Sequence, residues 1–234
     1  MSEFATWRYT LVVPCVRQKG TRHGPFRPHS TPTCRKAAER LISVVIPTGQ
    51  THALLIPTLA ALVPGAATGI VREVLLVDGG TSSDVAEIAD AAGCEYLHGP
   101  EDAGARLQLA AQAARSPWLM FLAPGGLLQE GWTREVRGFV EQIERMGATE
   151  RRAATFRLAL DGFGVAPRLR EAAAVARHAL TGRPRPEQGL LIHRRFYETL
   201  GGYEAGPRAA RRLIAKVGRS RLVLLRSQML LPES

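Results

Sequence analysis

The stretch VREVLLVDGGTSSD, residues 71–84, decides the fold. Its apolar centre has the length and composition of a strand covered on both faces, and Asp78-Gly79-Gly80 is a loop at which such a strand stops. Thr81 and Asp84 then have the spacing of a helix capping box, and the apolar residues of 85–92 fall on one helical face. The stretch therefore predicts a strand, a loop and a helix in succession, which is most of one βαβ unit.

The same alternation of short apolar runs and helical stretches extends from Leu41 to about residue 225. It predicts an α/β fold with a mainly parallel Rossmann-type sheet flanked by helices. The predicted strands are 41–46, 74–77, 95–98, 118–122, 153–160, 189–193 and 222–225, and the predicted helices are 54–63, 85–92, 105–114, 132–146, 169–180 and 194–200.

Charge is distributed unevenly over the chain, whose net charge is +10. Residues 1–40 carry eight basic and two acidic residues, a net +6, and lack any sustained period, so we expect a disordered basic arm. Residues 41–150 carry a net −7 and residues 151–234 a net +11. A basic second half fits a diphosphate, an anionic lipid headgroup or a membrane surface, or simply a solvated arginine-rich surface. A nucleic-acid module is disfavoured because the centre is acidic and no basic stripe interleaved with aromatic residues occurs.

The cysteines and histidines predict neither a disulfide framework nor a zinc site. Cys15, Cys34 and Cys94 are an odd number without paired spacing, and the histidines are scattered over separate elements. No apolar run approaches the roughly 20 residues that span a bilayer. We expect a cytoplasmic protein, with peripheral contact to the inner membrane face as the alternative.

Several short motifs resemble, in their order and spacing, those of family 2 glycosyltransferases with the GT-A fold. The matching segments are SVVIPT (43–48), VREVLLVDGGTSSD (71–84), WLMFL (118–122), EQGLLI (187–192) and RRFYETLGGY (194–203). The resemblance implies a nucleotide-sugar donor and an unknown acceptor, lipid-linked or polysaccharide. It makes residues 41–150 the donor-binding half and residues 151–234 the acceptor half of one domain.

The resemblance also implies donor-binding roles for Thr48, Asp78, Gly79 and Arg106. A carboxylate such as that of Asp78 suits this task because it accepts hydrogen bonds from an imide N–H or from ribose hydroxyls. The alternatives are that Asp78 caps its own turn and that Arg106 is a solvated residue on a helix face.

Two acidic motifs of the family are missing. After the fourth strand, where the family places carboxylates that hold a divalent metal, the chain has Ala123-Pro124-Gly125, and none of these side chains offers an oxygen ligand. The later acidic pair, which carries the catalytic base, aligns with Ala209-Ala210. We therefore predict no metal cofactor.

Two explanations of these losses remain open. In the first, the protein is a metal-independent enzyme in which arginines stabilise the leaving diphosphate, with candidates Arg194, Arg195, Arg208, Arg211 and Arg212. Glu187 is then the candidate base, its alternative being an exposed loop carboxylate. In the second, the domain is a non-catalytic relative that binds a nucleotide, a lipid-linked intermediate or a partner enzyme.

Overall fold

The structure is a computed structural model that describes residues 41–48, 54–80, 83–160 and 185–231. The predicted basic arm, the predicted helix at 169–180 and the proposed capping residue Thr81 lie outside these residues. None of the helices within the described ranges combines the length and the apolar character needed to cross a membrane.

Strands and helices alternate through most of the described chain. The strands are β1 (Ile42–Thr48), β2 (Val71–Asp78), β3 (Glu95–His98), β4 (Trp118–Phe121), β5 (Leu127–Leu128), β6 (Ala153–Leu160), β7 (Leu190–His193) and β8 (Leu222–Leu231). The α-helices are α1 (Leu55–Ala67), α2 (Ser83–Ala92), α3 (Ala103–Ala113), α4 (Trp132–Arg145), α5 (Arg194–Thr199) and α6 (Ala209–Val217), with 3₁₀ turns at Pro186–Gln188 and Arg219–Arg221.

The eight strands form one sheet in the order β3-β2-β1-β4-β7-β6-β8-β5. The first four are parallel, so they all end at one edge, which we call the carboxyl edge. Strand β7 is antiparallel to β4 and therefore begins at the carboxyl edge and ends at the opposite one. Strands β6 and β8 are parallel to each other and antiparallel to β7, so they again run towards the carboxyl edge.

Helices cover both faces of this sheet, as the near-continuous burial of its central strands requires. On one face, α1, α2 and α4 pack on apolar residues of β1, β2 and β4 around the buried Trp118 and Trp132. On the other face, α3, α5 and α6 pack around Phe121 and Leu190. The predicted α/β class with a Rossmann-type sheet is confirmed.

Most predicted elements are present, and the main differences are one longer strand and two elements that were not predicted. Strands β3 and β6 have the predicted bounds, whereas β8 is longer than predicted and continues to Leu231. The two-residue strand β5 was not predicted because two residues carry no period. Helix α6 was not predicted either, although its buried residues Ala209, Leu213 and Val217 recur every four positions.

Helices α3 and α6 begin side by side at the carboxyl edge. The Asp102 carboxylate caps α3 by accepting the Ala105 N–H at 2.8 Å, and its other oxygen accepts the N–H of Gly206, just before α6, at 2.7 Å. These N–H groups, first that of Gly206, lower the pKa of Asp102. A Cβ on Gly104 would lie 2.1 Å from the Glu204 carbonyl oxygen and 2.8 Å from the Ala209 Cβ. Glycine at this position therefore lets the start of α6 meet the start of α3.

We predict opposite effects for two glycine-to-alanine substitutions in helices. Gly104→Ala forces a methyl group against backbone and should lower the free energy of unfolding by about 1–3 kcal/mol. Gly138→Ala, in the exposed middle of α4, meets nothing within 4 Å and should raise it by about 0.5–1 kcal/mol through helix propensity. Urea denaturation of both variants measures the difference, and a stabilised Gly104→Ala protein would contradict the close packing of α3 and α6.

His193 caps helix α5 in a way that requires its neutral form. Its Nδ1 atom accepts the Arg195 N–H at 3.2 Å, which a protonated imidazole cannot do. Burial lowers the pKa of His193 below its ordinary 6.5, and the nearby Arg195 lowers it further, against the opposing effect of Glu144 and Glu150.

The lowered pKa of His193 predicts a loss of stability in mild acid. Between the unfolded value of 6.5 and the lower folded value, the unfolded chain binds a proton that the folded chain does not, so stability falls as the pH drops through this range. Denaturation midpoints measured from pH 7.5 downwards should show this slope in the wild type. His193→Asn keeps a capping oxygen but cannot titrate, and an equal slope in that variant would show that another group is responsible.

Candidate functional site

Thr48 and Asp78 form a buried pair at the carboxyl edge. The parallel register of β1 and β2 sets the two residues side by side at the ends of their strands. The Thr48 hydroxyl lies 2.9 Å from the Asp78 Oδ1 and donates to it, and both residues are almost fully buried. Two residues predicted to bind the donor are thus in direct contact.

The second carboxylate oxygen of Asp78 is buried and has no hydrogen-bond partner among the described residues. Tyr96, on the neighbouring strand β3, lies close to this carboxylate, and its pKa is raised by burial, by the charge of Asp78 and by a hydrogen-bond-like side-chain interaction with it. The geometry of this approach falls short of a hydrogen bond to the second oxygen. A buried acceptor without a partner is costly, so Asp78 is poised to accept a hydrogen bond from a ligand.

Arg106 reaches from the first turn of α3 across the end of β2. Its Nη1 atom donates to the carbonyl oxygens of Pro100, at 3.3 Å, and Glu101, at 3.0 Å. A Cβ on Gly79 would lie 1.6 Å from that Nη1 atom, so the guanidinium rests directly on the glycine backbone. The Arg106 Nε is buried and unpartnered within the described chain. The structure therefore brings Gly79 and Arg106 together with Asp78.

The loop after β4, residues 122–126, is held in place by apolar packing and by a hydrogen bond from its backbone to a side chain of α1. The Gly125 N–H donates to the Thr58 hydroxyl of α1 at 2.9 Å. The Met229 sulfur lies 3.0 Å from the position of a Cβ on Gly126, and Met229 itself is fully buried. The position where the resemblance places metal-binding carboxylates is thus an apolar turn against a methionine.

Glu187 lies in the 3₁₀ turn Pro186–Gln188, immediately before β7 begins at the carboxyl edge. Gln188 anchors this turn: its side-chain amide donates to the Phe156 carbonyl at 2.9 Å and accepts the Arg185 N–H at 2.7 Å. Gln188 is buried, while Glu187 is only partly buried. The predicted base is therefore on the same edge as Asp78, held on a rigid turn.

Arg194 and Arg195 lie at the opposite edge of the sheet. They follow the end of β7, and β7 runs away from the carboxyl edge. The Arg194 guanidinium donates to the carbonyl oxygens of Ala111, Ala114 and Ser116 at the end of α3, and Arg195 lies 3.7 Å from Glu150. This placement corrects the grouping of these two arginines with the donor site, because a resemblance in sequence does not reveal the direction of a strand.

The other three candidate arginines lie at the start of α6, at the carboxyl edge. The Arg212 guanidinium donates a hydrogen bond to the Ala205 carbonyl oxygen and lies 3.6 Å from the Glu204 carboxylate. Arg208 and Arg211 are exposed. Ala209, which aligns with the first residue of the missing acidic pair, is buried against Gly104.

Sequence reasoning missed four residues that shape this edge: Thr58, Tyr96, Asp102 and Met229. Asp102 had a local signal, since an aspartate directly before an alanine-rich helix is a typical N-cap. The other three act through contacts between distant segments and had none. Within the described ranges, no three or more His, Cys, Asp or Glu side chains cluster in a way that could hold a metal ion.

Comparison with known proteins gives matches in structure only. No protein-family model matches the sequence, and no curated protein matches it. Glucosyl-3-phosphoglycerate synthase from Mycobacterium tuberculosis, in complex with Mn²⁺, UDP and glucosyl-3-phosphoglycerate, is 18% identical with a TM-score of 0.56, over 89% of this chain and 77% of that one. The same enzyme with Mg²⁺ and UDP gives 18% identity and a TM-score of 0.57, over 88% and 75% of the two chains.

A second kind of enzyme has the same architecture. GalNAc-T7 with UDP, GalNAc and Mn²⁺ is 12% identical with a TM-score of 0.58, over 82% of this chain and 44% of that one. At these identities the matches establish the architecture and leave the chemistry to be argued from the residues. The chain has the GT-A glycosyltransferase fold.

Proposed function

We propose that this protein transfers a sugar from a nucleotide-sugar donor to an acceptor hydroxyl. The observation that carries the proposal is the buried Thr48–Asp78 pair at the carboxyl edge, with one carboxylate oxygen lacking a partner among the described residues. Ligands of open α/β sheets bind at this edge. The structurally similar enzymes named above contain UDP or UDP-sugars in their complexes, which supports a nucleotide-sugar as the donor here.

In this proposal Asp78 accepts a hydrogen bond from the nucleoside, and Thr48 holds the carboxylate in place through its hydroxyl. Arg106 closes the other side of the nucleoside site from above Gly79. The Arg106 Nε–H is buried and has no partner among the described residues, and in this proposal it donates to an oxygen of the ligand. All three groups are positioned before the ligand arrives, which lowers the entropic cost of binding.

A divalent metal, as in the similar structures, does not fit the residues after β4. Ala123, Pro124 and Gly125 have no side-chain oxygen that could coordinate a cation. A dication needs several oxygen ligands, and burying it against Met229 without them would be prohibitively costly. We therefore propose that the transfer does not depend on a metal.

Glu187 is the proposed base. As the acceptor oxygen attacks the anomeric carbon and forms the new glycosidic bond, the bond from that carbon to the diphosphate oxygen breaks, and the acceptor proton passes to the Glu187 carboxylate. Its location on the anchored turn at the carboxyl edge suits this task.

The second candidate function is a non-catalytic nucleotide-binding module. It is favoured by the apolar residues at both positions of the missing acidic motifs, Ala123-Pro124-Gly125 and Ala209-Ala210. The acceptor, the cytoplasmic location and any peripheral contact with a membrane surface stay predictions from charge and resemblance.

We predict that Asp78→Asn removes most binding of nucleoside diphosphates. An amide preserves the shape and the contact to Thr48 but presents its N–H₂ group where an acceptor is needed, which should weaken binding by about tenfold or more. A thermal-shift screen with UDP, GDP and ADP, with and without Mn²⁺, measures this through ligand stabilisation. Asp90→Asn, on the exposed face of α2, is the matched control. Equal shifts in the two variants would contradict the assignment of Asp78.

We predict that Glu187→Gln lowers the transfer rate by about 10²–10⁴-fold, the typical contribution of a positioned base. Donor binding should be unchanged because the amide keeps the shape of the turn. The measurement is release of nucleoside diphosphate from the nucleotide-sugar that binds, with Glu198→Gln, exposed on α5, as the control. Tight donor binding without turnover in the wild type would favour the non-catalytic module.

A further inference from the structure

We propose that Arg208 and Arg211, at the start of α6, balance the charge of the donor diphosphate in place of a divalent ion. The inference rests on the proposed function and specifies which groups of that site bind the diphosphate.

Helix α6 begins beside the donor site. The Asp102 carboxylate binds N–H groups of both α3 and the segment before α6, and Gly104 lies against Ala209. Arg106, above Gly79, is only one turn further along α3. Helix α6 also contacts the 3₁₀ turn Pro186–Gln188 before β7. In this proposal, a diphosphate that extends from a nucleoside at Asp78 towards that turn passes the start of α6.

The first turn of α6 is a poor place for cations unless an anion is bound there. The amino end of a helix carries a partial positive charge, so arginine side chains next to it are disfavoured. This helix has no acidic residue in its first turn and no side-chain cap, and the N-cap residue is Arg208 itself. Local rules of this kind are broken mainly at functional sites.

Of the five candidate arginines, Arg208 and Arg211 are the two that remain available within the described residues. Arg212 is paired with Glu204, and the Arg106 Nη1 is bound to two carbonyl oxygens. At the opposite edge, Arg194 donates to the Ala111 carbonyl oxygen and Arg195 forms an ion pair with Glu150. By contrast, within the described parts of the chain no hydrogen bond or ion pair is formed by the exposed side chains of Arg208 and Arg211.

Guanidinium groups can perform this task without a metal. Their planar forks match the geometry of phosphate oxygens, they stay charged at any accessible pH, and charge-assisted hydrogen bonds are stronger than neutral ones. Two of them beside the amino end of α6 would stabilise the leaving diphosphate as its charge develops.

The experiment is calorimetric binding of UDP and of inorganic pyrophosphate in EDTA, for the wild type, Arg208→Ala/Arg211→Ala, Asp78→Asn and Arg134→Ala. Arg134 is an exposed arginine on α4, on the other face of the sheet, and its substitution controls for the loss of a surface arginine away from the site. The wild type should bind both probes without metal. The double variant should bind both about tenfold more weakly or worse, Arg134→Ala should match the wild type, and Asp78→Asn should lose affinity for UDP but not for pyrophosphate.

The melting temperature of the double variant distinguishes a role in binding an anion from a purely structural role of the two arginines. If they serve only to stabilise the helix, the double variant will melt at a lower temperature; if they serve an anion, removing cations from the positive end leaves the melting temperature unchanged or raises it. Unchanged binding in the double variant overturns the inference, while an effect of Asp78→Asn upholds the proposed nucleoside site. Wild-type binding that requires Mn²⁺ overturns both the inference and the metal independence of the proposed transfer. A wild type that binds UDP under neither condition overturns the inference and the proposed function.

Discussion

The carboxyl edge depends on one close contact, that between the starts of α3 and α6. Asp102 satisfies N–H groups from both segments, and Gly104 removes the side chain that would keep them apart. The contact joins the half of the chain that carries Asp78 to the half that carries Glu187. Because it brings two helix amino ends together, it also concentrates positive potential where an anionic ligand would lie.

The same edge combines polar groups without partners and tightly packed apolar loops. Asp78 and Arg106 each retain a buried polar atom with no partner in the described structure, while the loop after β4 is filled by Met229 and tied to Thr58. In the proposed function, the polar groups around Asp78 bind the nucleoside, and the apolar loop after β4 does not bind a metal ion. The charge that a metal would supply must then come from side chains.

Prediction from the sequence succeeded where one segment contains the whole signal. The helical period of Val136, Phe139, Val140 and Ile143 identified the buried face of α4, and all four residues are buried. Asp78 was predicted to follow an apolar strand, and in the structure β2 ends at this residue. The sequence did not predict the edge on which Arg194 and Arg195 lie, because β7 is antiparallel to β4 and no local pattern reveals the direction of that strand.

The sequence by itself determined the α/β class, the strand ends that carry Thr48 and Asp78, and the absence of carboxylates at Ala123-Pro124-Gly125, since these follow from residue type and local period. Only the tertiary structure decided which arginines share an edge with Asp78, that Met229 fills the loop after β4, and that Gly104 joins α3 to α6. Those facts depend on strand order, strand direction and the approach of segments about a hundred residues apart, as in the Asp102–Gly206 contact. No pattern confined to one segment contains that information.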